Sequence, residues 1–158
     1  MTKRILSLFL FAACLPAADL ATRKALTLDI AKQIAAAAEA EAVKNKWNVV
    51  IAILDDGGHL VYLQRMDDTQ IGSVEVAIAK GSSAVKFKRP TKVFEDALVG
   101  GRQAILKLPG AIPVEGGVPI LHEGRVIGAV GVSGVTSAQD GQIAAAGVGA
   151  LARIVGGR

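Results

Sequence analysis

Residues 55–68 read DDGGHLVYLQRMDD, setting two acidic pairs, a histidine and an arginine around a short apolar run. Imidazoles and carboxylates are the groups that ligate metals and move protons near neutral pH. The chain has only two histidines, His59 and His122. Neither has a second ligand at the short helical or turn spacing of a local zinc site. A metal centre would have to be assembled across strands from Asp55, Asp56, His59, Asp67 or Asp68. The competing reading is structural: Asp-Asp-Gly-Gly is ordinary turn chemistry, and Asp67-Asp68 is a solvated pair ahead of a helix. Spacing alone favours the structural reading.

Arg65 ends the apolar strand beside Met66 and the two acids, so it is either an internal ion pair or a ligand for an anion. Lys80 lies in a helix of small apolar residues, AIAKGSSA, and is expected to snorkel to the surface. Lys86-Phe87-Lys88-Arg89-Pro90 closes that helix with cations, which complement its dipole and can also meet a carboxylate ligand. Tyr62 and Met66 are capable of ligating haem iron, and each also fits plain core.

Other chemistries are excluded by context. Gly147-Val-Gly149-Ala-Leu-Ala152 matches a dinucleotide fingerprint by letters but lies inside a helix. The glycines of GAVGVSG, at 128, 131 and 134, have no following lysine in a phosphate-binding frame. Glycines in a strand mark the close approach of another backbone or of a ligand. Ser133 lacks the strand-turn-helix setting of a nucleophile. No Lys/Arg clusters are interleaved with aromatics, so nucleic acid is not an expected partner.

The elements that must position these residues follow from patterning. Of 158 residues, 51% are apolar but only 4% aromatic, so the core is built from Ala, Val, Ile and Leu. MTKR followed by ILSLFLFAACLPA reads as a signal peptide over residues 1–18. Its removal takes away Lys3 and Arg4 and lowers the formal charge from +4 to +2. Cys14 is the only cysteine. In an alternative lipoprotein reading, Phe11-Ala12-Ala13-Cys14 is the cleavage box and Cys14 carries a lipid anchor. Either way the expected destination is periplasmic or extracellular, and no other segment is long and apolar enough to span a membrane.

Residues 19–26 read as a linker, and 27–158 as one folded domain. Thr27 is expected to cap a helix to about Lys46, with Leu28, Ala31, Ile34, Ala35, Ala38 and Ala42 on one face. Trp47–Leu54 is a buried strand and His59–Arg65 its return partner. Helices follow over Gly72–Phe87 and, capped by Thr91, to Leu98. AIPV, VPILHE and VIGAVGVSG read as three short strands, and Ser137-Ala-Gln-Asp140 as a capping box opening a helix to Val155. The order α-β-β-α-α-β-β-β-α predicts an α+β domain. It has a single antiparallel five-stranded sheet with helices packed on it, PAS- or profilin-like.

Several ordered motifs together resemble one family. LDDGGHLVYLQRMDD, AIAKGSSAVKFKRPT, LPGAIPVEGGVPI, GRVIGAVGVSG and SAQDGQIAAAG are similar to the GlcG/HbpS-like family of small haem-binding and haem-degrading domains. The likeness covers about Leu26 to Val155. It implies an exported, homo-oligomeric haem-binding protein, with haem degradation or iron binding as further capacities. Some haem-binding members use a histidine in the first helix, but residues 27–46 contain none. The ligand role then falls first to His59 and second to His122, with Arg65, Lys80, Lys86 and Arg89 as contacts for the propionates. Asp67, Asp68 and Glu75 are the implied iron site. Two alternatives stand beside this reading. One is a protein that binds or converts a small organic acid, as in the glycolate-associated branch. The other is a non-enzymatic sensory or structural oligomer with a membrane or exported partner.

Overall fold

The computed structural model describes residues 18–156, so Cys14 and all but the last residue of the expected signal peptide lie outside the described residues. Thr27 caps α1 (Leu28–Lys44) through its side chain, which accepts from the Ile30 N–H. Of the expected face, Ala31, Ile34, Ala35, Ala38 and Ala42 are buried, whereas Leu28 in the first turn is 50% exposed. β1 (Val50–Asp55) and β2 (Leu60–Arg65) form an antiparallel hairpin. Then come α2 (Ser73–Phe87), α3 (Lys92–Val99) and a 3-10 turn over Gln103–Lys107. A second hairpin, β3 (Gly117–His122) and β4 (Arg125–Ser133), precedes α4 (Ser137–Gly149) and α5 (Leu151–Gly156).

The sheet has four strands in the order β2-β1-β4-β3. β1 is central, and its five residues Val50–Leu54 are fully buried because both faces are covered. Ile51 and Ile53, with Val130 and Val132 of β4, face α1 and α4, whose Ile143 packs in the same cluster. Val50, Ala52 and Leu54 face Ala77 of α2. This two-sided burial explains why residues 49–54, VVIAIL, read as an unbroken apolar run rather than an alternation; the strand starts at Val50 rather than at the expected Trp47.

The expected fifth strand, AIPV, does not form; residues 111–114 are irregular. The Ile112 N–H donates to Ser83 Oγ of α2 at 3.1 Å, and Pro113 has no N–H to offer a ladder. The place beside the start of β3 is taken by Thr91. Its N–H donates to the Gly117 carbonyl and its Oγ1 accepts from the Gly117 N–H, both at 2.9 Å. Thr91 therefore does not cap α3 with its side chain, as had been expected. The capping box also sits one residue earlier than expected. Thr136 and Gln139 form it, because Asp140 is buried and otherwise engaged. The single expected last helix breaks at Ala150 into α4 and α5.

Candidate functional site

Antiparallel pairing decides which candidate residues can act together. Asp55 at the end of β1 pairs with Gly128 of β4, so the β1–β2 and β3–β4 turns lie at one end of the sheet. His59 and His122 flank those two turns. The last turn of α2 reaches the same end: Lys86 and the Ser82 hydroxyl approach Gly58. At the opposite end Val50 pairs with both Arg65 and Ser133. Arg65, Asp67, Asp68 and Glu75 are exposed there. The sequence cluster DDGGHLVYLQRMDD is thus a full strand long, with its histidine and its second acidic pair at opposite ends. Among the described residues, no group of three or more His, Cys, Asp or Glu side chains is gathered to hold a metal ion, the expected iron acids included.

The first acidic pair is a turn maker. Asp55 Oδ1 accepts from the Gly57 N–H at 2.9 Å and from the His59 N–H at 2.8 Å. Those donors, His59 first, hold the Asp55 carboxyl below the usual carboxylate range. A carboxyl whose folded pKa is depressed contributes stability above its unfolded pKa, and that contribution is lost as pH falls through the folded value. The stability difference between the protein and Asp55→Ala is accordingly expected to be full at neutral pH and to close below about pH 3.9. Urea denaturation across that range measures it.

A cleft of ≈ 860 Å³ opens at the turn end. Leu121, Val126 and Ile127 give it apolar walls, and Arg23, Lys24, Lys88 and Arg125 supply cations. His122 lines it, with a side chain 27% exposed against 82% for His59, which is not part of the lining. His122 Nε2 lies 3.8 Å from Glu123 Oε1, and the Glu123 side chain is exposed. A second hollow of ≈ 390 Å³ adjoins, lined by Ile30, Leu151 and Ile154 and again by His122. A half-buried imidazole among aliphatic walls, beside several cations, suits a flat apolar ligand with a ligatable metal and carboxylate tails. The donor set therefore fits haem.

The remaining candidates fall elsewhere. Lys80 does not snorkel: it is 1% exposed, and its ammonium donates to Asp140 Oδ2 at 2.8 Å. Burial pushes the Asp140 carboxyl up, against the pull of Lys80. Arg89 is exposed, with Nε donating to the Phe87 carbonyl and its guanidinium over the Phe94 ring. Tyr62 and Met66 pack against the core. Sequence reasoning missed Arg23 and Lys24, which stand in the expected linker, and Arg125, which opens β4. The one available signal was the basic pair Arg23-Lys24, a few residues before the first helix.

Comparison with known proteins gives concordant matches. A family profile described as "Haem degrading protein HbpS-like" matches residues 26–149. Protein GlcG of Escherichia coli K12 is 43% identical over 112 residues, covering 71% of this chain and 84% of that protein. A crystal structure of a double mutant of Streptomyces reticuli HbpS superposes with a TM-score of 0.76 at 30% identity, over 89% of this chain and 98% of the other. The crystal structure of a PduOC–haem complex superposes with a TM-score of 0.72 at 28% identity, over 80% and 95%.

Proposed function

This chain belongs to the HbpS-like family, and from that premise we propose that it is an exported protein binding haem in the cleft at the turn end. The observation that supports this most directly is His122, half-buried and lining both hollows beside a cationic rim. In this reading His122 supplies the axial imidazole, ahead of His59, which stands exposed at the other turn. Lys88 and Arg125 meet the propionates, and Leu121, Val126 and Ile127 face the macrocycle. Haem degradation rests on family likeness, and iron binding at Asp67, Asp68 and Glu75 is supported by no cluster among the described residues.

The test is a haemin titration followed at the Soret band. Saturable binding is expected for the protein and for His59→Ala. His122→Ala is expected to bind at least about tenfold more weakly, since even outer partners of a metal ligand are worth ~10–100-fold. No saturable change in the unmutated protein overturns the reading. An unchanged titration in His122→Ala overturns the ligand assignment alone. The cationic rim also favours a second reading, a small organic acid in the same cleft. It gains if such an acid binds saturably and haemin does not.

A further inference from the structure

Residues 18–26 carry no regular secondary structure. Among the described residues, none of the backbone hydrogen bonds outside helices and strands involves them. Leu26 is the anchored residue: it packs on the core, and its Cδ2 would stand 3.2 Å from a Cβ at Gly128. Residues 18–25 are exposed. Their ion pair to the rest of the fold is Arg23 Nη1 to Asp56 Oδ2, 3.8 Å apart, which ties the segment to the β1–β2 turn. This lightly held segment borders both hollows. Thr22, Arg23 and Lys24 line the larger, Lys24 and Ala25 the smaller, and His122 and Ile127 line both.

We infer that residues 22–25 form a movable strap that partitions a single trough, hinged at Leu26 and latched by Arg23 on Asp56. With the strap down, the trough is split into hollows of ≈ 860 and ≈ 390 Å³ and His122 sits at the dividing line. With it lifted, the two become one trough running from the β3–β4 turn to the groove between α1 and α5. A large planar ligand then reaches His122 without competing with Lys24 for the space beside it. The identity of that ligand as haem rests on the reading above; the strap does not. Lifting it breaks no backbone ladder, only an exposed ion pair of small strength. Motion of this kind belongs to the fast, nanosecond to microsecond class of terminal and loop movements.

The latch is testable on the full chain without any ligand. Diethyl pyrocarbonate modifies accessible imidazoles, and peptide mass spectrometry reads His122 against His59, the exposed internal reference. Arg23→Ala and Asp56→Ala are each expected to raise the His122 rate relative to His59 by about two- to fivefold, the scale of one exposed ion pair. The reversed pair, Arg23→Asp with Asp56→Arg, is expected to return the ratio to that of the unmutated protein. An unchanged ratio in the single variants overturns the strap, as does a reversed pair that behaves like them. Haemin release to an excess of an apoprotein acceptor is expected to quicken by the same factor in the single variants. If haemin does not bind but the His122 ratio rises, the haem reading fails and the strap stands. If haemin binds and the ratio does not move, the strap alone fails.

Discussion

Lys80→Ala is expected to destabilise the protein by about 3–5 kcal/mol, the usual cost of removing one member of a buried ion pair. Both side chains are almost wholly enclosed, at 2% and 3% exposure, so the Asp140 carboxylate is left without its counter-charge in the interior. The contact joins α2 on one face of the sheet to α4 on the other, passing the backbone at Gly116. A Cβ there would stand 2.8 Å from Lys80 Nζ and 2.6 Å from the Val132 carbonyl oxygen, so only glycine leaves the passage open. Without Lys80 the carboxyl can escape its isolation only by taking up a proton. Its folded pKa, already raised by burial, then rises further. A carboxyl raised on folding favours the native state below its unfolded pKa and loses that contribution as pH rises through the folded value. The penalty of Lys80→Ala should therefore be full at neutral pH and shrink on acidification towards about pH 3.9. Lys80→Met combined with Asp140→Asn is expected to recover most of the loss. It removes both charges yet keeps an acceptor for the Val135 N–H, which now donates to Asp140 Oδ1 at 3.2 Å. Urea midpoints for the three proteins decide it; an unshifted midpoint in Lys80→Ala defeats the account.

Gly131→Ala is the second change with a large expected effect. On β4, Gly131 faces α2, and a Cβ built there would overlap the Ala77 carbonyl oxygen and lie 2.6 Å from the Gly81 nitrogen. The obstacle is helix backbone, which cannot rotate aside as a side chain would. Overpacking of this kind costs about 1–3 kcal/mol when side chains can yield, and the rigid helix puts this site at or above the top of that range. Gly72→Ala is the matched control. Its φ of −58° is already helical and nothing stands within 4 Å of the added methyl, so a neutral or slightly stabilising effect is expected. Thermal unfolding separates the two. A shifted α2 also carries Lys86 and Lys88 away from the turn end, so Gly131→Ala should weaken haemin binding, whereas Gly72→Ala should not. Equal melting temperatures for the two variants would falsify the close approach.

The sequence announced those features whose cause is local. The Asp55–Gly58 turn was legible because a carboxylate two and four residues before free N–H groups is self-sufficient. β1 was legible because burial on both faces leaves a continuous apolar run. The glycines of β4 were legible as a close approach, though not that α2 was the neighbour of Gly131. What was misread depends on partners far along the chain. Lys80 finds Asp140 sixty residues later, and Thr91 occupies Gly117 twenty-six residues on, which displaces the strand that AIPV suggested. The cleft is the extreme case. Arg23, Asp56, Lys88 and His122 come from four separate segments, brought to one end by antiparallel register. No spacing rule along the chain could have grouped them.

Gly117 and Pro119 have one more consequence, for assembly. On β3 the outward N–H of Gly117 is taken by Thr91, and Pro119, two residues on and of the same orientation, has none. The first half of that border offers no N–H to a further strand. The other border, β2, carries no such cover within the sheet. An identical chain that adds a strand there presents its own β2 in return. Between copies of this chain, edge pairing through β2 makes a closed two-fold pair, which the donor-poor start of β3 favours over a head-to-tail series.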